Sequence, residues 1–126
     1  VHVLIDMAGE LKGVPRGLVY VSYPIEDVPT WWGGSQGRMG AAAQQLNPHV
    51  LDAMAAAAVA MMRRGHVVAV ACMAGMNRSP LMAALIVRHY LGCSGLHALR
   101  IVREGRPGAL PNETFANLVG GMEAPK

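Results

Sequence analysis

The chain has 126 residues, a mass of 13.3 kDa and a hydrophobic content of 52%. These values predict one globular domain over residues 1–126 and exclude a disordered chain. The net charge of +3 is mild and forms no basic cluster longer than Arg63–Arg64, so it favours anionic substrates without indicating a nucleic-acid partner.

Membrane and metal partners are not expected either. No apolar stretch reaches membrane-spanning length, and no secretory signal is visible at the N-terminus. Two cysteines make no disulfide framework, and the five histidines lack metal-ligand spacing with carboxylates or cysteines. We therefore expect no metal and no cofactor.

The first predicted elements are two strands. Residues 1–5 (VHVLI) are a short apolar run, and residues 18–23 (LVYVSY) alternate and contain Val and Tyr. Residues 24–29 (PIEDVP) then predict a rigid surface loop, because two prolines bracket the acids Glu26 and Asp27. Such an acid pair is usually solvated; alternatively, one member is a general acid that protonates a leaving group.

The segment over residues 30–47 has little regular pattern and several glycines. Its adjacent Trp31 and Trp32 are either core anchors or one wall of a substrate pocket. Asn47-Pro48 then predicts the start of a helix over 49–64, which Gly65 ends. Helical spacing predicts an apolar face made of Val50, Met54, Ala57, Ala58 and Met61.

The stretch over residues 67–91 changes from strand to helix. VVAVA (67–71) predicts a buried strand, and PLMAALIVRHYL (80–91) predicts a helix with Pro80 in its first turn. Between them lies what we call the nucleophile loop, residues 72–79, from Cys72 to Arg78 and Ser79. A sharp strand-to-helix turn leaves backbone N–H groups unpaired, and with the helix dipole they form an anion site.

The side chains of the nucleophile loop suit phosphate chemistry. A free thiol has a pKa of about 8.5, which a helix N-terminus and a nearby cation lower. Arg78 offers a planar fork that matches two phosphate oxygens, and Gly75 permits a tight backbone. The alternative is a buried cysteine at a strand end and an unrelated arginine at a helix start.

The rest of the chain predicts two helices and a tail. Ser94 caps a helix over 95–104, residues 105–111 (GRPGALP) connect, and residues 112–119 form a closing helix. A flexible, frayed tail is expected over 120–126. This order of elements predicts an α/β fold with a mostly parallel central sheet flanked by helices.

Three segments carry a family resemblance. CMAGMNRSP resembles the signature loop of the cysteine-dependent protein tyrosine phosphatases, specifically the compact dual-specificity group, where the usual form is His-Cys-x2-Gly-x2-Arg-Ser. The His is replaced by Ala71. PIEDVP resembles the general-acid segment of that group, and VREGRPGALPNETFANL resembles the end of its domain. The resemblance covers about Tyr20 to Leu118 and is weak over residues 30–47.

The resemblance implies a phosphatase-type fold with the phosphate-binding loop between a strand and a helix. Cys72 would be the nucleophile that forms a phosphocysteine, and Asp27, in preference to Glu26, would act as acid and then as base. Ser79 would donate to the sulfur as the thiolate departs. Phosphate would be bound by the Arg78 side chain and by the backbone N–H groups of Met73, Ala74, Gly75, Met76, Asn77 and Arg78.

The expected substrates are phosphotyrosine, phosphoserine or phosphothreonine in proteins or peptides, with inorganic phosphate or a similar oxyanion as a site ligand. A free catalytic thiol implies a reducing, cytoplasmic location. Three alternatives stay open at this stage: a nucleotide or RNA 5′-phosphatase, a phosphate-binding module without turnover, suggested by Ala71, and a rhodanese-type sulfur transferase. The sequence does not indicate the oligomeric state.

Overall fold

The structure is a computed structural model that describes residues 1–8, 16–25, 47–72 and 77–126. Within these ranges the chain forms a three-stranded parallel sheet and four helices. The predicted α/β class with a parallel sheet is therefore confirmed. The predicted boundaries of each element agree with the structure to within two residues.

The carboxyl ends of the three strands lie at one edge of the sheet. Its strands are β1 (Val3–Asp6), β2 (Val19–Ser22) and β3 (Val68–Ala71), in the order β2-β1-β3. The register pairs Asp6 with both Ser22 and Ala71. Because both pairings are parallel, the carboxyl ends of the strands meet, and ligands of open α/β sheets bind at such an edge. Cys72 follows β3 directly at this edge.

Four helices follow the signals read in the sequence. They are α1 (Pro48–Arg63), α2 (Arg78–Leu91), α3 (Gly95–Gly105) and α4 (Glu113–Gly120). The Asn47 side chain caps α1 by accepting the N–H groups of His49 and Val50, at 3.1 and 3.3 Å. The helices α1 and α2 pack against β3, and α3 and α4 pack against α2.

The buried face of α1 agrees with the predicted one only in part, at Met54 and Ala58. Val50 is 38% exposed and Ala57 is exposed, although both were predicted to face the core. The buried residues are Leu51, Ala55, Ala58 and Val59, with Met54 and Met62 packed beside them. Alanine occurs all around this helix, so its sequence pattern does not select one face. Packing against α2 and β3 selects it instead.

The hydrophobic core lies between the sheet and the helices. It joins residues of β1, α1, α2 and α4, which include Ile5, Leu51, Leu81, Leu85 and Phe115. Each of these is at most 3% exposed. No helix in the described ranges is long and apolar enough to cross a membrane.

The predicted frayed tail is attached along its first half. The carbonyl of Met122 accepts the N–H of Gly95 at 2.8 Å, and that of Glu123 accepts the Arg88 Nε at 2.7 Å. Arg88 is 9% exposed and also lies 3.0 Å from the Asp52 carboxylate. A buried guanidinium needs several acceptors, so the tail contributes one that the helices do not.

Candidate active site

Cys72 lies at the carboxyl edge of the sheet, one residue after β3. The carbonyl of the preceding residue, Ala71, accepts the N–H of Met7 at 2.8 Å. This bond continues the β1–β3 pairing beyond the last paired residues and therefore holds the chain immediately before the thiol. The side chain of Cys72 is free of any disulfide and half-buried.

The Cys72 sulfur caps the start of α2. The helix begins at Arg78, and the side chain of its N-cap residue, Asn77, makes no capping hydrogen bond. The N–H of Ser79, the second residue of the helix, has no partner within the helix and donates to Sγ at 3.3 Å. The sulfur thus takes the acceptor role of an N-cap side chain. A negative charge is stabilised at this position by the bond and by the helix dipole.

The Ser79 hydroxyl lies against the same sulfur. Its Oγ is 3.3 Å from Sγ. In the neutral form the thiol donates to the hydroxyl, and once the sulfur is a thiolate the hydroxyl donates instead. When the sulfur is anionic, Ser79 therefore provides it with two hydrogen-bond donors, the backbone N–H and the side-chain hydroxyl.

Arg78 brings a buried cation next to this pair. It is the first residue of α2 and is 6% exposed. Its Nε is buried and has no hydrogen-bond partner within the described part of the chain. A buried donor of a charged group is costly without an acceptor. A bound oxyanion would supply acceptors that suit the guanidinium fork.

Asn77 connects the start of α2 to the distant C-terminal region. Its Oδ1 accepts the backbone N–H of Asn112 at 2.9 Å. The side chain of Asn112 in turn caps α4 by accepting the N–H of Phe115 at 3.2 Å. The sequence predicted a backbone contact to phosphate for Asn77, and the structure adds this side-chain role.

The segment that leads to the predicted acid runs along the same sheet edge. The N–H of Tyr23 donates to the Asp6 carbonyl at 3.0 Å, and the N–H of Ile25 donates to the Met7 carbonyl at 3.1 Å. Ile25 is fully buried. It is separated from Asp27 by one residue along the chain.

Several predicted residues lie outside the described ranges. These are Glu26, Asp27, Trp31 and Trp32 and the four loop residues Met73, Ala74, Gly75 and Met76. The structure therefore places Cys72, Ser79, Arg78 and Asn77 around the start of α2 and leaves the role of Asp27 a prediction. In the described ranges, no group of three or more His, Cys, Asp or Glu side chains could hold a metal ion.

The sequence reading missed a buried carboxylate near the thiol. Asp6, which is 4% exposed, accepts the Tyr20 hydroxyl at 2.5 Å and the Ala8 N–H at 3.0 Å. It is the register partner of Ala71, where the related signature has a His. The signal was present in the sequence, since Asp6 directly follows an apolar run and parallel strands end at a common edge.

The comparisons with known proteins identify the fold. No protein-family model matches the sequence, and no curated protein matches it. Among solved structures, human DUSP28 is 23% identical with a TM-score of 0.74, over 96% of this chain and 76% of that one.

Two further structures agree. A mouse protein designated a dual specificity phosphatase, complexed with zinc tungstate, is 25% identical with a TM-score of 0.74, over 98% of this chain and 69% of that one. A Leishmania major protein designated a protein tyrosine phosphatase is 25% identical with a TM-score of 0.67, over 98% of this chain and 73% of that one. The chain therefore has the fold of the compact dual-specificity phosphatases, and the resemblance read in the sequence is confirmed at the level of fold.

Proposed function

We propose that this chain, with its dual-specificity phosphatase fold, is a cysteine-dependent phosphatase that hydrolyses phosphate monoesters through a phosphocysteine on Cys72. The similar solved structures are phosphatases, which supports the reaction class. The observation that carries the proposal is the position of the Cys72 sulfur, 3.3 Å from the Ser79 nitrogen at the start of α2. A nucleophile and an anion-binding helix terminus are thereby combined in one site.

In the first step, Sγ of Cys72 attacks phosphorus. An S–P bond forms, and the bond between phosphorus and the ester oxygen breaks. Asp27 gives its proton to that leaving oxygen, so that an alcohol or phenol departs and not its anion. The guanidinium of Arg78 binds the phosphoryl oxygens, whose charge the enzyme must stabilise most strongly in the transition state.

In the second step, water attacks the phosphocysteine. The Asp27 carboxylate takes a proton from the water, an O–P bond forms, and the S–P bond breaks. The Ser79 hydroxyl donates a hydrogen bond to the departing thiolate, for which its Oγ lies 3.3 Å from Sγ. Inorganic phosphate is released, and Asp27 is again protonated for the next cycle.

The proposed substrates are phosphotyrosine, phosphoserine or phosphothreonine in proteins. The loop residues Met73, Ala74, Met76 and Asn77 include no Lys or Arg, which makes a multiply phosphorylated inositol lipid a poor fit. We also propose a cytoplasmic location, because the mechanism needs a reduced Cys72. A panel of phosphopeptides that carry each residue would rank these substrates by kcat/KM.

Steady-state hydrolysis of p-nitrophenyl phosphate tests the reaction class. We expect turnover by the native chain and none above background for Cys72→Ser. Tungstate, which the similar mouse protein binds as zinc tungstate, should inhibit competitively as a tetrahedral oxyanion. Turnover that survives in Cys72→Ser would overturn the proposal.

A second candidate function is phosphate binding without turnover. Ala71 favours it, because the residue before the cysteine is a His in the related signature. The helix dipole and Arg78 do not depend on residue 71 and would still bind an oxyanion. Tight tungstate binding with no hydrolysis of any aryl phosphate would favour this second function over the first.

A further inference from the structure

We propose that Asn77 is a positioning residue for the phosphatase site and that it acts through its bond to the backbone of Asn112. The bond joins Asn77 Oδ1 to the Asn112 N–H at 2.9 Å and would hold the start of α2, with Arg78 and Ser79, against the C-terminal region. This inference deepens the proposed function and rests on it.

The first observation is where the Asn77 side chain is directed. Asn77 occupies the N-cap position of α2, where an asparagine usually accepts an N–H group of its own helix. Its side chain makes no such bond, and its Oδ1 instead accepts a donor 35 residues away in the sequence. The capping role is left to the sulfur of Cys72, which accepts the Ser79 N–H.

The second observation is that the donor is itself held rigidly. The guanidinium of Arg103 donates to the carbonyls of Ala109 and Leu110, at 3.1 and 2.9 Å. Leu110 is fully buried and has a φ of 58°, a left-handed conformation that is strained for a leucine. Such strain persists where the surroundings determine the conformation. The backbone that leads to Asn112 is therefore fixed by its bonds to α3 and by the core.

The third observation concerns Arg78, the residue that follows Asn77. Its Nε has no hydrogen-bond partner in the part of the chain that the structure describes. The bond at Asn77 supplies a fixed point one residue before Arg78 and two before Ser79. A contact to a rigid segment can thus set the positions of Arg78, which would bind the oxyanion, and of Ser79, which contacts the sulfur.

One pair of variants isolates the bond. Asn112 has a φ of −68°, which matches the φ that proline requires. Asn112→Pro therefore removes the donor N–H without demanding a new φ, although it also removes the side chain that caps α4. Asn112→Ala removes the same side chain and keeps the N–H, so it is the matched control. Asn77→Ala removes the acceptor from the other side.

Two readouts are independent of turnover. They are the rate at which iodoacetamide alkylates Cys72 at pH 7 and the dissociation constant for tungstate. Relative to Asn112→Ala, we expect Asn112→Pro to lower the rate and weaken tungstate binding by about fivefold to tenfold, as for the loss of one hydrogen bond. With an aryl phosphate, kcat should fall more than KM rises, because the groups are misplaced and not removed.

A double-mutant cycle completes the test. In the Asn77→Ala background, Asn112→Pro and Asn112→Ala should give equal tungstate affinities, since the bond is already lost. Equal tungstate affinities of Asn112→Pro and Asn112→Ala in the native background would overturn the proposal. A difference between these two variants that persists in the Asn77→Ala background would overturn it as well. Thermal unfolding of each variant checks that the chain is folded. A native chain that binds tungstate but shows no turnover would contradict the proposed function, while the cycle would still decide the role of Asn77.

Discussion

The Cys72 sulfur accepts a hydrogen bond from the Ser79 backbone, over a nitrogen–sulfur distance of 3.3 Å, at the second residue of α2. The pair lies seven residues apart in the sequence and joins the end of β3 to the start of the helix. The bond directs a helix N-terminus at the sulfur, and it therefore favours the charged form of the thiol over the neutral form.

The first prediction is that the pKa of the Cys72 thiol lies below that of a free thiol. The Ser79 N–H, the dipole of α2 and the nearby Arg78 all stabilise the thiolate. The thiolate fraction, and with it the rate of alkylation by iodoacetamide, should rise with pH and level off below pH 8. A midpoint near the free-thiol value of about 8.5 would contradict this expectation. Cys72→Ser provides the background, because Cys93 is also a free thiol.

The second prediction concerns the hydroxyl of Ser79. Ser79→Ala keeps the backbone N–H and removes the donor that stabilises the departing thiolate. We expect breakdown of the phosphocysteine to slow by about 10- to 100-fold, as for a hydrogen bond to a charged group. Rapid mixing with p-nitrophenyl phosphate should then show a burst of p-nitrophenol followed by slow turnover. Ser79→Thr retains the hydroxyl and should show a smaller burst, whereas equal bursts in both variants would argue against this role.

The third prediction concerns the guanidinium of Arg78. Arg78→Lys keeps the charge but loses the planar fork, so a phosphate can no longer be held through two parallel bonds. We expect kcat/KM to fall by about 100-fold or more, in line with the loss of a transition-state donor. Tungstate affinity, measured by competitive inhibition, should fall as well. An Arg78→Lys enzyme with native kcat/KM would show that charge alone suffices.

The fourth prediction tests the assignment of Asp27 against that of its neighbour. Asp27→Asn should lower kcat by about 100-fold or more, because a general acid is lost, while Glu26→Gln should leave kcat unchanged. The Asp27→Asn loss should be larger for substrates with basic leaving groups, which depend most on protonation. It should also remove the decline of kcat at high pH. The reverse pattern in the two variants would transfer the role to Glu26.

The fifth prediction concerns how α3 is attached to α4. A Cβ added at Gly95 would lie 1.7 Å from the Val119 carbonyl oxygen, so backbone must move. We expect Gly95→Ala to lower the free energy of unfolding by about 1–3 kcal/mol or more, as overpacking does. At Gly105, the other end of α3, an added Cβ would meet no atom within 4 Å among the described residues, its chain neighbours and its own helix backbone aside. Gly105→Ala should therefore be neutral or stabilising, and urea unfolding of both variants would show whether the two positions differ.

The local elements were predictable because their signals are local. Asn47-Pro48 caps and opens α1, and Ser94 accepts an N–H at the start of α3. Short β-branched runs predicted the strands, and the change from strand to helix across Cys72 indicated the candidate site. Each of these signals depends on residues within a few positions of one another, so no knowledge of the tertiary contacts was needed.

The contacts that complete the site were not predictable in this way. The pairing of Asn77 with Asn112 and that of Asp6 with Tyr20 join residues 35 and 14 positions apart. The tail beyond Gly120 was predicted to fray, yet the carbonyl of Glu123 accepts the Arg88 guanidinium. The residue types of the tail do not predict this hydrogen bond, because its acceptor is a backbone carbonyl that any residue would provide.

The amino-acid sequence by itself determined the α/β class, the element boundaries and the residue types of the nucleophile loop, since these depend on periodicity, caps and short-range spacing. The tertiary structure decided the sheet order, the buried face of α1 and the partners of Asn77 and Asp6. The physical reason is that an alanine-rich helix and a lone polar side chain each have several acceptable partners. Which one they meet depends on the surfaces that the folded chain brings together.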